Sequence, residues 1–232
     1  MLVELIRQDQ IANDLANAST PGYKPDRTSQ RSFGELLLHN TATGAPVGSV
    51  SLGAGLDSVH TDLSQGPLRE TGEPLDLALV GPGFLAVQTP AGVRYTRNGQ
   101  LALDAQGRLV TSTGLPVLDA ASRPIAVAGG EDMAVSADGT VRAGGRVAGK
   151  LALVSLTGAQ KVGDSLFTGT PAADAGATEV RPGWLEGSGI DAARAMIDMI
   201  ASLRAFESNQ RVIRTIDETL GRGISAGSTG GG

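Results

Sequence analysis

The sequence predicts an α+β chain in which long terminal helices pair as a coiled-coil-like stalk and a mainly antiparallel β domain occupies the middle. Three observations lead there. Ile190 to Leu220 holds neither Gly nor Pro, and its apolar residues return at Met196, Ile200, Leu203, Phe206, Ile213, Ile216 and Leu220, with Gln210 between them. That three-and-four spacing draws one apolar stripe along a helix. Residues 2–17 repeat the character at the other end, with Leu2, Leu5, Ile6, Ile11, Ala12 and Leu15 apolar among polar neighbours. Between the two lie short alternating runs separated by turn residues, the pattern of antiparallel hairpins.

The first helix is expected to stop in Asn17-Ala18-Ser19-Thr20-Pro21-Gly22, where side chains bond their own backbone and Pro forbids continuation. Gly22 is expected in a conformation closed to other residues. Tyr23 and Lys24 leave extended, because Pro25 disfavours helix before it. Ser32 to Leu38 reads as a short apolar turn. His39 to Gly55, rich in Gly, Ser, Thr and Ala, reads as a connector. Strand signals run from about Leu56 to Phe167. Leu75, Leu77 and Leu79 alternate with Asp76 and Ala78, and turns fall at Gly81-Pro82-Gly83, Asn98-Gly99, Asp104 to Gly107, Gly114 and Asp138-Gly139. Pro171 to Pro182 reads as a loop, and Gly221 to Gly232 as a fraying tail. Ser188 or Asp191 is expected to cap the terminal helix. The domain plan is residues 1–38 with 183–224 as a terminal helical assembly domain, 39–64 as an extended connector, 65–182 as the β domain and 225–232 as a flexible tail.

Composition narrows the function. An aromatic fraction of 3% with 33 Gly points to many turns and a core of Val, Leu and Ala rather than to a ligand pocket. A net charge of −5 argues against nucleic acid. The absence of cysteine removes disulfides, thiolate metal sites and cysteine nucleophiles. His39 and His60 have no companions at metal-ligand spacing. Neither Gly81-Pro82-Gly83 nor Gly53-Ala54-Gly55 leads into Lys-Ser/Thr as a phosphate loop would, and Ser188 has no base or nucleophile elbow. No catalytic constellation, cofactor or metal site is expected. Met1 to Gln10 carries Glu4, Arg7 and Asp9 where a cleaved signal would be apolar, and no apolar run reaches membrane-spanning length.

The stretch Ala12-Asn13-Asp14-Leu15-Ala16-Asn17-Ala18-Ser19-Thr20-Pro21-Gly22-Tyr23-Lys24 resembles the signature of bacterial flagellar rod and hook axial proteins. Further blocks resemble the same family in the same order: Leu75 to Leu79, Gly83 to Val87 and Tyr95-Thr96-Arg97-Asn98-Gly99, then Leu185-Glu186-Gly187-Ser188, Asp198-Met199-Ile200 and Arg204-Ala205-Phe206-Glu207. Within the family the likeness points to basal-body rod proteins of the FlgF/FlgG type, with a hook protein or another hook-basal body protein as the alternative. Asp14 replaces a usual second Asn, and Gly189-Ile190 a usual Asn-Val.

The resemblance implies a structural rod subunit. It would polymerise through its terminal helices into the axial tube that carries torque from motor to hook. It further implies export without signal cleavage through the flagellar type III apparatus, residence in the periplasmic basal body, and partners among its own copies and other rod and hook proteins. No nucleic acid partner or membrane insertion is expected.

The expected assembly surface comprises Leu5, Ile11, Asn13, Leu15, Asn17, Met196, Ile200, Leu203, Phe206, Gln210, Ile213, Ile216 and Leu220, and the family turn is carried by Thr20, Gly22, Tyr23 and Lys24. Asn13 and Asn17 either satisfy the helix end or bond a neighbouring subunit. A different class of function also fits the pattern, a monomeric β-rich binding module whose helices form an intramolecular hairpin.

Overall fold

The computed structural model describes residues 2–32, 35–39, 46–51, 54–127, 133–172 and 178–229. Most of the regular structure is strand, and the described residues contain two helices, α1 (Leu2–Ala16) and α2 (Ala192–Thr229). The chain divides into two compact units. One comprises Met1–Leu15, Thr28–Val59 and Ala192–Gly232, the other Ala16–Arg27 and His60–Asp191.

The first unit corrects the expected fold class. Its two helices differ greatly in length, 15 residues against 38, and they do not form a long paired stalk. A coiled coil needs a continuous seam buried against a partner. Here α2 leaves Ile213 at 44%, Ile216 at 50% and Leu220 at 59% exposure. A side-chain bond between the helices runs from Ser202 Oγ to Glu4 Oε2 at 3.0 Å. The remaining elements are strands β1 (Asp26–Ser32), β2 (Glu35–His39), β3 (Pro46–Ser51) and β4 (Ala54–Thr61), paired β1 with β4 and β2 with β3. Residues read from sequence as turn and connector therefore contain strands. In β3, Gly48, Ser49 and Ser51 hide the alternation that marks a half-buried strand, while β2 carries the unbroken apolar run Leu36-Leu37-Leu38, which does not alternate at all. At the other end, helix continues through Thr229, beyond the expected fraying point; residues 230–232 of the expected tail lie outside the described residues.

The second unit is built from hairpins. Its strands are β5 (Leu68–Glu70), β6 (Leu77–Val80), β7 (Phe84–Thr89), β8 (Gly92–Thr96), β9 (Leu101–Leu103), β10 (Leu109–Thr111), β11 (Met133–Val135), β12 (Thr140–Ala143), β13 (Arg146–Lys150), β14 (Leu153–Gly163), β15 (Leu166–Ala172), β16 (Glu179–Pro182) and β17 (Trp184–Glu186). Strands β14, β15, β8 and β7 close on one another as a small barrel, and β11, β12 and β13 form a three-stranded sheet. Three two-stranded ribbons, β9–β10, β6–β16 and β5–β17, complete the unit.

The expected turn signals fall where hairpins reverse. Gly107, Gly114 and Gly139 all take positive φ, at 73°, 82° and 80°. Gly99 is required for a different reason, since a Cβ there would overlap the Leu77 carbonyl oxygen. The core is aliphatic, as the composition suggests: Leu77, Leu79, Leu85, Val87, Leu109 and Val117 are fully buried. Phe84 and Phe167 close the barrel side, their ring centroids 5.3 Å apart and tilted by 60°.

Candidate functional site

The turn after α1 is docked into the β unit. Its own bonds are short range: Thr20 N–H donates to Asn17 O at 3.1 Å, Thr20 Oγ to Asn17 Oδ1 at 3.2 Å, and Tyr23 N–H to Thr20 O at 3.3 Å. Pro21 then delivers Gly22 at φ 68°. A Cβ on Gly22 would collide with the Arg97 carbonyl, so both conformation and space demand Gly. From there the backbone pairs with distant chain, Gly22 N–H donating to Glu186 O at 2.8 Å and Gly189 N–H to Tyr23 O at 2.9 Å.

Beneath the turn lies a buried charge cluster. Lys24 and Glu186 are each 1% exposed and Arg97 is 2% exposed. Lys24 Nζ reaches Glu186 Oε1 at 2.5 Å and the Ser64 carbonyl at 2.6 Å. Glu186 Oε1 also accepts from Gly66 N–H at 2.8 Å, and its Oε2 accepts from Arg97 Nη1 at 3.3 Å. Arg97 donates further to the carbonyls of Leu79 and Gly81 and lies over the Phe84 ring at 5.0 Å. Two cations share one carboxylate, and backbone carbonyls offset the excess positive charge. Burial pushes Lys24 below its ordinary value against the pull of Glu186, and burial does the same to Arg97. From β14, Lys161 Nζ stacks 3.9 Å over the Tyr23 ring and donates to Lys24 O at 2.9 Å and Asp26 Oδ2 at 3.3 Å.

Both oxygens of the Glu186 carboxylate are engaged within the fold, so the cluster acts as a brace between distant parts of the chain. Among the described residues, no group of three or more His, Cys, Asp or Glu is placed to hold a metal, and His60 is exposed.

Beside the docked turn is an open cavity of about 330 Å³. One face of the β5–β17 ribbon supplies its floor. Leu185 pairs with Arg69, and Pro67 lies two residues along β5's path, so alternate residues point the same way. Pro21 and Ile190 wall it. Arg69 is exposed and makes no ion pair among the described residues.

The second feature belongs to the helical unit. Ala195, Met199, Ser202 and Phe206 are half-buried or buried, and Asn209, Ile213, Ile216 and Leu220 continue the same three-and-four spacing exposed. A single stripe is therefore covered over its first half and bare over its second. From Arg211 to Gly223 every residue is exposed. Of the residues assigned to assembly from sequence, Phe206 and Gln210 are half-buried, while Met196, Ile200 and Leu203 are 51%, 52% and 44% exposed on a second face, offset by one residue from the covered one. On α1, Leu5 is 43% exposed, Asn13 is exposed, and Ile11 and Leu15 are half-buried; Asn17, just past the helix, is half-buried and bonded to Thr20. Thr20, Gly22, Tyr23 and Lys24 come together in the docked turn.

Sequence reasoning met Arg97 and Glu186 only inside the family blocks and Glu4 only as a charge in the first ten residues, and gave none of them, nor Ser202, a structural role. A signal existed for Glu186, the lone charge in the run Gly183-Trp184-Leu185-Glu186-Gly187, whereas Arg97 sits among the polar residues Thr96 and Asn98 and does not stand out.

Comparison with known proteins bears on the same segments. The domain described as "Flagellar hook protein FlgE/F/G D1 domain" matches residues 78–143, and "Flagellar basal body rod FlgEFG protein C-terminal" matches residues 181–226. The chain is 39% identical to the flagellar basal-body rod protein FlgF of Escherichia coli (strain K12), over 94% of its own length and 91% of the relative's. It is 31% identical to the flagellar basal-body rod protein FlgG of Bacillus subtilis (strain 168), over 91% and 90% respectively. The flagellar hook-basal body complex protein FlhO of the same Bacillus strain is 30% identical over 95% of the chain and 92% of the relative. Arg97 and Glu186 fall one in each matched domain.

Proposed function

We propose, for a chain that belongs to the flagellar basal-body rod protein family, a structural role as a rod subunit that polymerises through its terminal helices. The observation that carries this is the half-covered stripe of α2. Ile213, Ile216 and Leu220 lie on one helix face in the register of the covered residues, yet are 44%, 50% and 59% exposed. A helix face this apolar and this bare is stabilised only by association. Met196, Ile200 and Leu203 add a second exposed face, so each copy offers contacts in two directions. Head-to-tail contacts of that kind extend into an open helical array.

In this reading the assembled helices form the axial tube and carry torque from motor to hook through many shallow contacts, with no chemical step. Its partners are further copies and other rod and hook proteins, and it reaches the periplasmic basal body by flagellar type III export without loss of a signal segment. Among the described residues, no helix is long and apolar enough to cross a membrane.

Sedimentation velocity and electron microscopy of the full chain at rising concentration test the assembly. Growing oligomers or short filaments are expected, and Ile213→Asp is expected to suppress them with the β unit still folded. A chain that stays monomeric at every concentration, or a variant that assembles unchanged, overturns the reading.

A further inference from the structure

The cavity beside the docked turn has a chemistry that matches the bare end of α2. Its apolar lining is Pro21, Pro67, Leu185 and Ile190; Arg69 and Glu186 also line it, the carboxylate already engaged by Lys24 and Arg97. At about 330 Å³ it lies at the small end of binding cavities and has room for a pair of aliphatic side chains. An occupant that fits it brings apolar groups with a single carboxylate beside them.

The distal half of α2 carries that combination. At 100° per residue, Ile213, Ile216 and Leu220 share one face, and Asp217 sits about 70° from its centre. Arg211, Arg214, Glu218 and Arg222 fall about 120–180° away, on the opposite side. Asp217 is thus the one charge flanking the bare apolar face, and it makes no ion pair among the described residues. The occupant has to come from another molecule. Ile190 lines the cavity, α2 begins at Ala192, and Ile216 lies about 36 Å further along that helix at 1.5 Å per residue.

We infer that the cavity formed by Pro21, Pro67, Leu185 and Ile190 receives Ile216 and Leu220 from the α2 helix of a second copy of this chain, with Arg69 paired to that copy's Asp217. The proposal rests on the assembly reading above and names the receiving surface on the β unit. It also assigns the docked turn a purpose beyond packing: the Lys24–Glu186–Arg97 brace holds Pro21 against the ribbon and keeps the cavity open.

Charge reversal tests it in the full chain, because Arg69 is exposed on a two-stranded ribbon and its replacement leaves the core untouched. Sedimentation velocity is run on wild type, Arg69→Glu, Asp217→Arg and the double variant. Each single reversal is expected to weaken association at least about tenfold, since it sets like charges against each other. The double variant, with the pair restored in opposite sense, is expected to return most of that loss. If wild type associates and Arg69→Glu associates equally well, or the double variant is no better than the singles, the cavity is not the receiver while assembly stands. A wild-type chain that never associates overturns both.

Discussion

The Glu186 carboxylate meets the Lys24 ammonium 2.5 Å away across 162 residues of chain, with neither side chain exposed. This contact ties the turn that leaves α1 to the strand that precedes α2, and Arg97 completes it from the end of β8.

Glu186→Gln leaves two buried cations without an anion, and is expected to destabilise the β unit by about 3–5 kcal/mol. Lys24→Met retains the Glu186–Arg97 pair and is expected to cost less, about 1–3 kcal/mol. Trp184 is the only tryptophan and lies two residues from Glu186, so urea unfolding followed by its fluorescence reads both. Equal midpoints for wild type and Glu186→Gln would show that the brace contributes nothing.

Two positions with positive φ give opposite predictions. Gly22→Ala must hold a left-handed backbone and force its Cβ into the Arg97 carbonyl, so a loss above about 2 kcal/mol is expected. Ser122, at φ 58°, occupies in the Asp119–Arg123 turn the place that Gly107 holds in the Asp104–Arg108 turn. Ser122→Gly is therefore expected to stabilise the chain by up to about 1 kcal/mol, seen as a higher melting temperature.

Acid sensitivity follows from the same turns. The Arg108 backbone N–H holds the Asp104 carboxyl below its ordinary 3.8, and the Arg123 backbone N–H does so for Asp119. The Thr140 hydroxyl, with its backbone N–H, acts likewise on Asp138. Carboxyls with depressed native values contribute stability that is complete above the ordinary value and is lost as pH falls through the native one. Melting temperature should stay level down to about pH 5 and fall below about pH 4. Asp104→Asn and Asp119→Asn should lower the plateau and flatten that acid limb; an unchanged slope in both would refute the linkage.

The bare half of α2 should fray in dilute solution, since an isolated helical stretch of this length is marginal in water. Hydrogen exchange is expected to be fast for residues 211–223 in the monomer and slower once the chain has associated. Strong protection of that segment at the lowest concentration would contradict it.

Local pattern was enough for much of this chain. Gly107, Gly114 and Gly139 mark hairpin reversals because only a residue without Cβ takes positive φ freely. The run from Ile190 to Leu220 reads as helix because nothing in it breaks one. It did not read well in β2 and β3: Leu36-Leu37-Leu38 is an unbroken apolar run and Pro46 to Ser51 is mostly small, so neither shows the alternation that betrays a strand. The turn at Thr20 to Lys24 stood out by its residues, yet nothing local revealed that Lys24 points inward.

Sequence alone determined where the chain turns, where it is helical and which helix residues are apolar, because each depends on neighbours a few positions apart. Tertiary structure decided which of those features are satisfied. Lys24 finds its anion at Glu186, Gly22 finds the Arg97 carbonyl pressed against it, and α1 ends after 15 residues against the 38 of α2. The stripe at Ala195, Met199, Ser202 and Phe206 is covered, while its continuation at Ile213, Ile216 and Leu220 is left open. Burial and charge pairing depend on what arrives from far along the chain, and no periodicity encodes that distance.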